Sequence, residues 1–132
     1  MAFPLEELTK DANFRVVRLT RQAKTETVSE AIVVGAATRD NAAVQAEYGP
    51  TLTLFAPGIQ IEAAGRLSDT ATFVADGDSY AAPFAAGVVA LYLEGHAGAA
   101  PADVKRALID GATRGALDHV GEAPNRLLHV VR

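Results

Sequence analysis

The chain has 132 residues, of which 49% are hydrophobic and 21% charged, a composition typical of one globular domain rather than of a disordered segment. The net charge of −4 and the scattered Lys and Arg residues exclude a basic surface for phosphate backbones, so we expect no nucleic-acid partner. The chain contains no cysteine, which excludes disulfides and thiolate chemistry.

The first 30 residues have the least regular pattern. Residues 5–8 predict a weak helical turn and residues 14–19 a strand. The sequence begins with Glu6 and Glu7 where a signal peptide would carry basic residues, and its apolar runs are too short to span a bilayer. We therefore expect no membrane partner and a cytoplasmic location for the sequence as written.

Four short strands are predicted next, over residues 31–36, 51–55, 59–62 and 71–75. The first is a continuous apolar run, which is typical of a buried strand. The second alternates and ends at the turn residues Pro57 and Gly58. The polar turn between the last two strands predicts a hairpin.

A long helix is predicted from about Ser79 to Gly95, with Asp78 or Ser79 as its capping residue and Pro83 within or just past its first turn. It carries few charges, so we expect both of its sides to be covered, as in a central helix.

A second, peripheral helix is predicted to begin at Pro101, with Val104 and Leu108 on its apolar side. Residues 126–131 predict a last strand.

Six segments, in this order and at these spacings, resemble the C-terminal half of subtilases of the proteinase K type. They are residues 33–36 (Val-Val-Gly-Ala), 54–58 (Leu-Phe-Ala-Pro-Gly), 77–83 (Gly-Asp-Ser-Tyr-Ala-Ala-Pro), 86–91 (Ala-Gly-Val-Val-Ala-Leu), 101–105 (Pro-Ala-Asp-Val-Lys) and 124–128 (Pro-Asn-Arg-Leu-Leu). The resemblance implies a partial subtilase-like α/β fold, with a short, mostly parallel sheet, a hairpin, a buried central helix and a peripheral helix. It divides the chain into a subtilase-like part, residues 31–132, and an N-terminal segment without a match, residues 1–30.

The resemblance places Ser79 at the position of the catalytic nucleophile, where the N-terminus of a buried helix faces the developing oxyanion. The family motif reads Gly-Thr-Ser-x-Ala-x-Pro followed by His. Here Asp78 replaces the threonine and Phe84 replaces the histidine. A carboxylate beside the nucleophile opposes the negative charge that acyl transfer must develop.

A serine hydroxyl also needs a base and a carboxylate that orients the base. In subtilases both come from the N-terminal half, but in this sequence no histidine precedes Ser79 and neither family segment is found. Residues 18–30 contain no asparagine to act as the family's oxyanion donor. We therefore expect Ser79 to mark the nucleophile position in a chain that is inactive alone.

Other candidate sites are weak. Asp76 and Asp78 with Ser79 offer oxygen ligands for calcium on one turn, but a third acid at fixed spacing is lacking, so we expect no metal and no cofactor. The histidines, His96, His119 and His129, all follow Ser79 and have no zinc-ligand spacing. A substitute Ser–His dyad remains an alternative.

Three functions are compatible with these features of the sequence. The first is a degenerate subtilase-like domain that serves as a non-catalytic binding or structural module. The second is a serine hydrolase in which another chain supplies the acid and base to Ser79, and the third is a folded gene fragment without selected activity. Because the family's N-terminal half would cover the central helix, we expect a homo-oligomer or a complementing protein chain as partner.

Overall fold

The structure, a computed structural model, describes residues 17–18, 31–44 and 49–132. Its strands are β1 (Val17–Arg18), β2 (Ile32–Ala37), β3 (Leu54–Pro57), β4 (Ile61–Ala64), β5 (Thr72–Ala75), β6 (Thr113–Arg114) and β7 (Arg126–Leu127). Helix α1 (Asp78–Gly95) and helix α2 (Pro101–Gly111) lie between β5 and β6. Among the described residues no helix is both long enough and apolar enough to cross a membrane.

The strands form a five-stranded sheet and a separate two-stranded hairpin. The sheet has the order β1-β2-β3-β7-β6, in which β1, β2, β3 and β7 are parallel and β6 is antiparallel to β7. The hairpin consists of antiparallel β4 and β5. The prediction of an α/β fold with a short, mostly parallel sheet and a hairpin is therefore confirmed.

The strands differ from the predicted bounds mainly at their ends. β3 begins three residues later than predicted, at Leu54, because Leu52 and Thr53 precede the regular pairing of β2 with β3. β1 is the described piece of the predicted strand over residues 14–19, whereas the turn predicted over residues 5–8 lies outside the described residues. β6 was not predicted, because two polar residues give no strand pattern.

The last strand is shorter than predicted. β7 ends at Leu127, so the prediction of a strand over residues 126–131 is wrong beyond that residue. Leu128 donates its N–H to the carbonyl of Phe55, and the chain then leaves the sheet so that Val131 packs over Gly111 at the end of α2. Packing of Val131 against the helices thus replaces further strand pairing.

The sheet has a core on each side. On one side, residues of β2 and β3 pack against both helices through Val34, Leu54, Val88 and Leu108. On the other side, Val33, Leu52, Phe55 and Leu117 form a second cluster. Successive residues of β2 face opposite cores, which explains why the sequence of this strand is apolar throughout.

Helix α1 packs on β2 and β3 through one face. Ala81, Ala85 and Val89 are buried against the sheet. A neighbouring face, which we expected to be covered, is exposed in the described part of the chain, where Phe84 is 43% and Leu91 39% exposed. Helix α2 lies at the periphery, begins with Pro101 and buries Val104 and Leu108, as predicted.

Thr53 is a buried polar residue between β2 and β3, with 2% of its surface exposed. Its hydroxyl oxygen accepts a hydrogen bond of 3.0 Å from the backbone N–H of Val33, which is also buried. We predict that Thr53→Val lowers the free energy of unfolding by about 1–2 kcal/mol, because the Val33 N–H loses its acceptor. Thr53→Ser keeps the hydroxyl and is the control. Urea denaturation curves that place Thr53→Val above Thr53→Ser in stability would contradict this role.

Candidate active site

Ser79 lies in the first turn of α1, at the carboxyl ends of β2 and β3. The helix begins at Asp78, and Gly77 is its N-cap residue. Ser79 is exposed, and in the described part of the chain no side chain accepts a hydrogen bond from its hydroxyl. Pro83 follows just past the first turn, as predicted, and because it has no N–H it cannot donate the usual helical hydrogen bond to the Ser79 carbonyl.

The predicted capping by Asp78 or Ser79 is wrong, since Gly77 is the N-cap residue and, among the described residues, no side chain caps α1. The carboxylate of Asp78 is engaged elsewhere. Its Oδ1 accepts a hydrogen bond of 2.8 Å from the backbone N–H of Ala36, near the end of β2. Asp78 therefore ties the first turn of the helix to the sheet.

Two glycines allow the helix start to approach the strand ends. Gly77 has φ 138° and ψ 168°, a backbone conformation that is almost restricted to glycine. Its N–H donates to the carbonyl of Gly58 at 2.7 Å, and the N–H of Gly58 donates to the carbonyl of Ala37 at 3.1 Å. The turn before Ser79 is thus fixed by backbone hydrogen bonds to the residues that follow β2 and β3.

The two candidate calcium ligands bind different parts of the backbone. Oδ1 of Asp76 accepts a hydrogen bond of 2.6 Å from the N–H of Gln60, whereas Asp78 accepts from Ala36. Among the described residues no group of three or more acidic, histidine or cysteine side chains is arranged to hold a metal ion. Each carboxylate thus has a structural role in the turn.

None of the three histidines forms a hydrogen bond with Ser79 in the described part of the chain. His96 follows the last residue of α1, and a separation of 17 residues along a helix corresponds to roughly 25 Å. Its Nδ1 lies 2.9 Å from the carbonyl oxygen of Tyr92, and its ring stacks on that of Tyr92. His119 lies in a loop with φ 61°, and His129 follows β7 on the surface. His96 therefore cannot serve as the base for Ser79 of its own chain.

Sequence reasoning identified Ser79 and Asp78 but missed what Asp78 binds. The hydrogen bond to Ala36 joins residues 42 positions apart, and no local pattern indicates such a partner. Gly58 was recognised only as part of a turn. The Pro57-Gly58 pair marks the end of β3, but that the glycine lies against the helix start becomes visible only in the fold.

A cavity lies beside the hairpin of β4 and β5. It has a volume of about 380 Å³ and borders the far end of the hairpin, where it is lined by residues 64–67 and 71–73. Phe73 lines the cavity and its ring contacts that of Tyr80, the residue after Ser79, so the cavity adjoins the start of α1 through these two rings.

A serine that opens a helix at the carboxyl ends of parallel strands is arranged as in α/β serine hydrolases, where the helix N-terminus favours the developing oxyanion. The model of the subtilase family, peptidase S8, matches residues 12–127. The chain belongs to the subtilase family. The match starts within the segment of residues 1–30, and the division of the chain at residue 31 stays a prediction.

Individual relatives agree with this assignment. The chain is 42% identical over 104 residues to the extracellular serine proteinase of Thermus sp. strain Rt41A and covers 25% of its length. It is 39% identical over 101 residues to alkaline protease 1 of Aspergillus clavatus, again covering 25% of that protein. These alignments include 77% and 75% of the chain. The chain thus spans about a quarter of the length of the curated relatives it matches.

The fold has a solved counterpart. A cold-adapted subtilisin-like serine proteinase superposes with a TM-score of 0.72 and 32% sequence identity. The superposition covers 80% of this chain and 38% of the proteinase. The described architecture is therefore that of part of a subtilisin-like domain.

Proposed function

We propose that this chain is a catalytically degenerate subtilase-family domain that serves as a non-catalytic binding or structural module. The observation that carries the proposal is the carboxylate of Asp78, the residue before Ser79, which a hydrogen bond from the N–H of Ala36 fixes at the start of α1. Acyl transfer places a negative charge near the N-terminus of the nucleophile's helix. A carboxylate fixed in the first turn of the same helix opposes this negative charge and so disfavours the transition state.

The surroundings of the hydroxyl support the same proposal. A serine at neutral pH becomes nucleophilic when a neighbouring base accepts its proton. In the described part of the chain Ser79 has no such acceptor, and His96 lies at the other end of α1. Ser79 on its own therefore behaves as an ordinary alcohol.

Hydrolysis of an activated ester tests this proposal. We expect the purified 132-residue chain and its Ser79→Ala variant to hydrolyse p-nitrophenyl acetate at the same rate, because neither contains an activated hydroxyl. The Asp78→Thr variant, which restores the family threonine, is a second control and should hydrolyse the ester at the same rate as the unsubstituted chain. A rate in the unsubstituted chain that falls in Ser79→Ala would overturn the proposal.

A second candidate function is a serine hydrolase completed by another chain. It is favoured by the exposure of Ser79 and by the glycine turn that fixes it at the N-terminus of α1. In this case mixing with a protein that carries the acid, the histidine and the oxyanion donor of a subtilase produces ester hydrolysis. The activity must disappear when Ser79→Ala replaces the unsubstituted chain in the mixture. A folded fragment without selected activity predicts neither hydrolysis nor a specific partner.

A further inference from the structure

The outer edge of β5 is unpaired in the described part of the chain, where β5 pairs with β4 alone. The N–H of Gly65 donates to the carbonyl of Ala71 at 2.6 Å, which makes these two residues a hydrogen-bonded position of the ladder. Hydrogen-bonded and non-bonded pairs alternate along an antiparallel ladder. Thr72 and Val74 are therefore at non-bonded positions, and their N–H and C=O groups point to the free edge.

This edge is apolar, exposed and uncharged. Residues 70–75 read Thr-Ala-Thr-Phe-Val-Ala, without a charged side chain. Phe73 is 43% and Val74 65% exposed. Exposed edges of this kind pair readily with another strand, whereas an isolated two-stranded ribbon is only marginally stable in water. An additional strand would therefore stabilise the hairpin.

The edge borders an exposed apolar stripe on α1. The rings of Phe73 and Tyr80 are in edge-to-face contact with a centroid distance of 6.1 Å. Phe84 and Leu91 lie four and eleven residues after Tyr80, on the same side of the helix, and both are exposed. A strand that pairs with β5 would therefore lie next to this apolar stripe of α1 and could contact it.

We propose that the free edge of β5 is a homodimer interface, in which the β5 strands of two copies pair antiparallel about a twofold axis at Phe73. In this register the backbone N–H and C=O groups of Thr72 form hydrogen bonds with those of Val74 in the second copy. Val74 of the first copy pairs in the same way with Thr72 of the second. Phe73 lies opposite Phe73 of the second copy, and aromatic pairs across strands are favourable. A twofold interface requires a patch that is complementary to itself, and this uncharged edge meets the requirement without placing like charges opposite each other.

The inference rests on the proposed function, because it names the partner of the module as a second copy of the chain. The two proposals fail separately. Ester hydrolysis that depends on Ser79 would overturn the non-catalytic role and leave the β5 interface in place. A chain that stays monomeric would overturn the interface and leave the inert Ser79 in place.

Cross-linking at the twofold axis tests the register. The chain has no cysteine, so in Phe73→Cys the introduced thiol can form a disulfide only with a second copy. The Cα atoms of a non-bonded antiparallel pair lie about 4.5 Å apart, within the range that a disulfide spans. Leu67→Cys is the control, because Leu67 is 86% exposed in the hairpin turn but lies away from the axis. Under mild oxidation we expect Phe73→Cys to form dimers roughly tenfold faster than Leu67→Cys; equal rates would contradict the register.

Proline substitutions test the edge without a new side-chain bond. Val74 and Glu62 are paired in the hairpin at a non-bonded position, so their N–H groups point to opposite edges. By analytical ultracentrifugation we expect the unsubstituted chain to sediment as a dimer of the 13.8 kDa chain. Val74→Pro should raise the dissociation constant by roughly tenfold or more, since it removes an outward N–H from each copy, whereas Glu62→Pro should not change it. A monomer at micromolar concentration, or a dimer that Val74→Pro does not weaken, overturns the proposal.

Discussion

Gly58→Ala is expected to lower the free energy of unfolding by about 3 kcal/mol, the upper end of the usual cost of overpacking a core. A Cβ at this position would lie 2.6 Å from the Cβ of Ala36 and 2.9 Å from the carbonyl oxygen of Gly77. Ala36 is buried in β2, and Gly77 is held by its own hydrogen bond to Gly58. Neither neighbour can move away without shifting the sheet or the helix start.

Gly87→Ala is the matched control for this prediction. Gly87 lies in α1 with nothing within 4 Å of an added Cβ, so alanine there improves helix propensity and should stabilise the chain by about 0.5–1 kcal/mol. Both variants add one methyl group to a glycine. Urea denaturation measures the two changes, and equal stability of Gly58→Ala and the unsubstituted chain would mean that the helix start does not approach β2 as described.

Asp78→Ala is expected to lower the free energy of unfolding by about 2 kcal/mol, because the Ala36 N–H loses a charged acceptor. That N–H belongs to a strand residue that is fully covered by the core. Asp78→Asn is the control, since its amide oxygen can accept the same hydrogen bond without the charge. We expect Asn to recover at least half of the loss.

The comparison of these variants separates two roles of Asp78. If the carboxylate acts mainly by favouring the helix macrodipole, Asn should be about as destabilising as Ala, with a loss of about 0.3–1 kcal/mol for both. If it ties α1 to β2, Ala should be clearly worse than Asn. Equal stabilities of Asp78→Ala and Asp78→Asn in urea would contradict a stabilising hydrogen bond between Asp78 and Ala36.

Much of the fold was predictable because its elements have strong local patterns. The continuous apolar run of β2, the hairpin and the two helices all follow from the periodicity of the sequence and from Pro101 and Gly95 at the helix limits. The order of the sheet, in which β7 returns to lie beside β3, follows from no local pattern. β6 and the short β7 depend on tertiary contacts, such as the hydrogen bond from Leu128 to Phe55.

The candidate site was predictable in its residues but not in its contacts. Ser79 and Asp78 were identified because the motif places them, whereas the direction of the Asp78 carboxylate depends on a strand 42 residues earlier. Helix capping was the local expectation for such an acid. The capping prediction is wrong because Gly77 occupies the N-cap position, and the Asp78 carboxylate accepts a hydrogen bond from the N–H of Ala36 instead.

Reactivity toward a fluorophosphonate probes directly whether the Ser79 hydroxyl is activated in this chain. The 132-residue chain is incubated with the probe, and intact mass and peptide mapping measure the modification of Ser79. Because Ser79 has no base in the described part of the chain, we expect no more labelling than in Ser79→Ala. Stoichiometric labelling at Ser79 by the chain alone, abolished in Ser79→Ala, would contradict it.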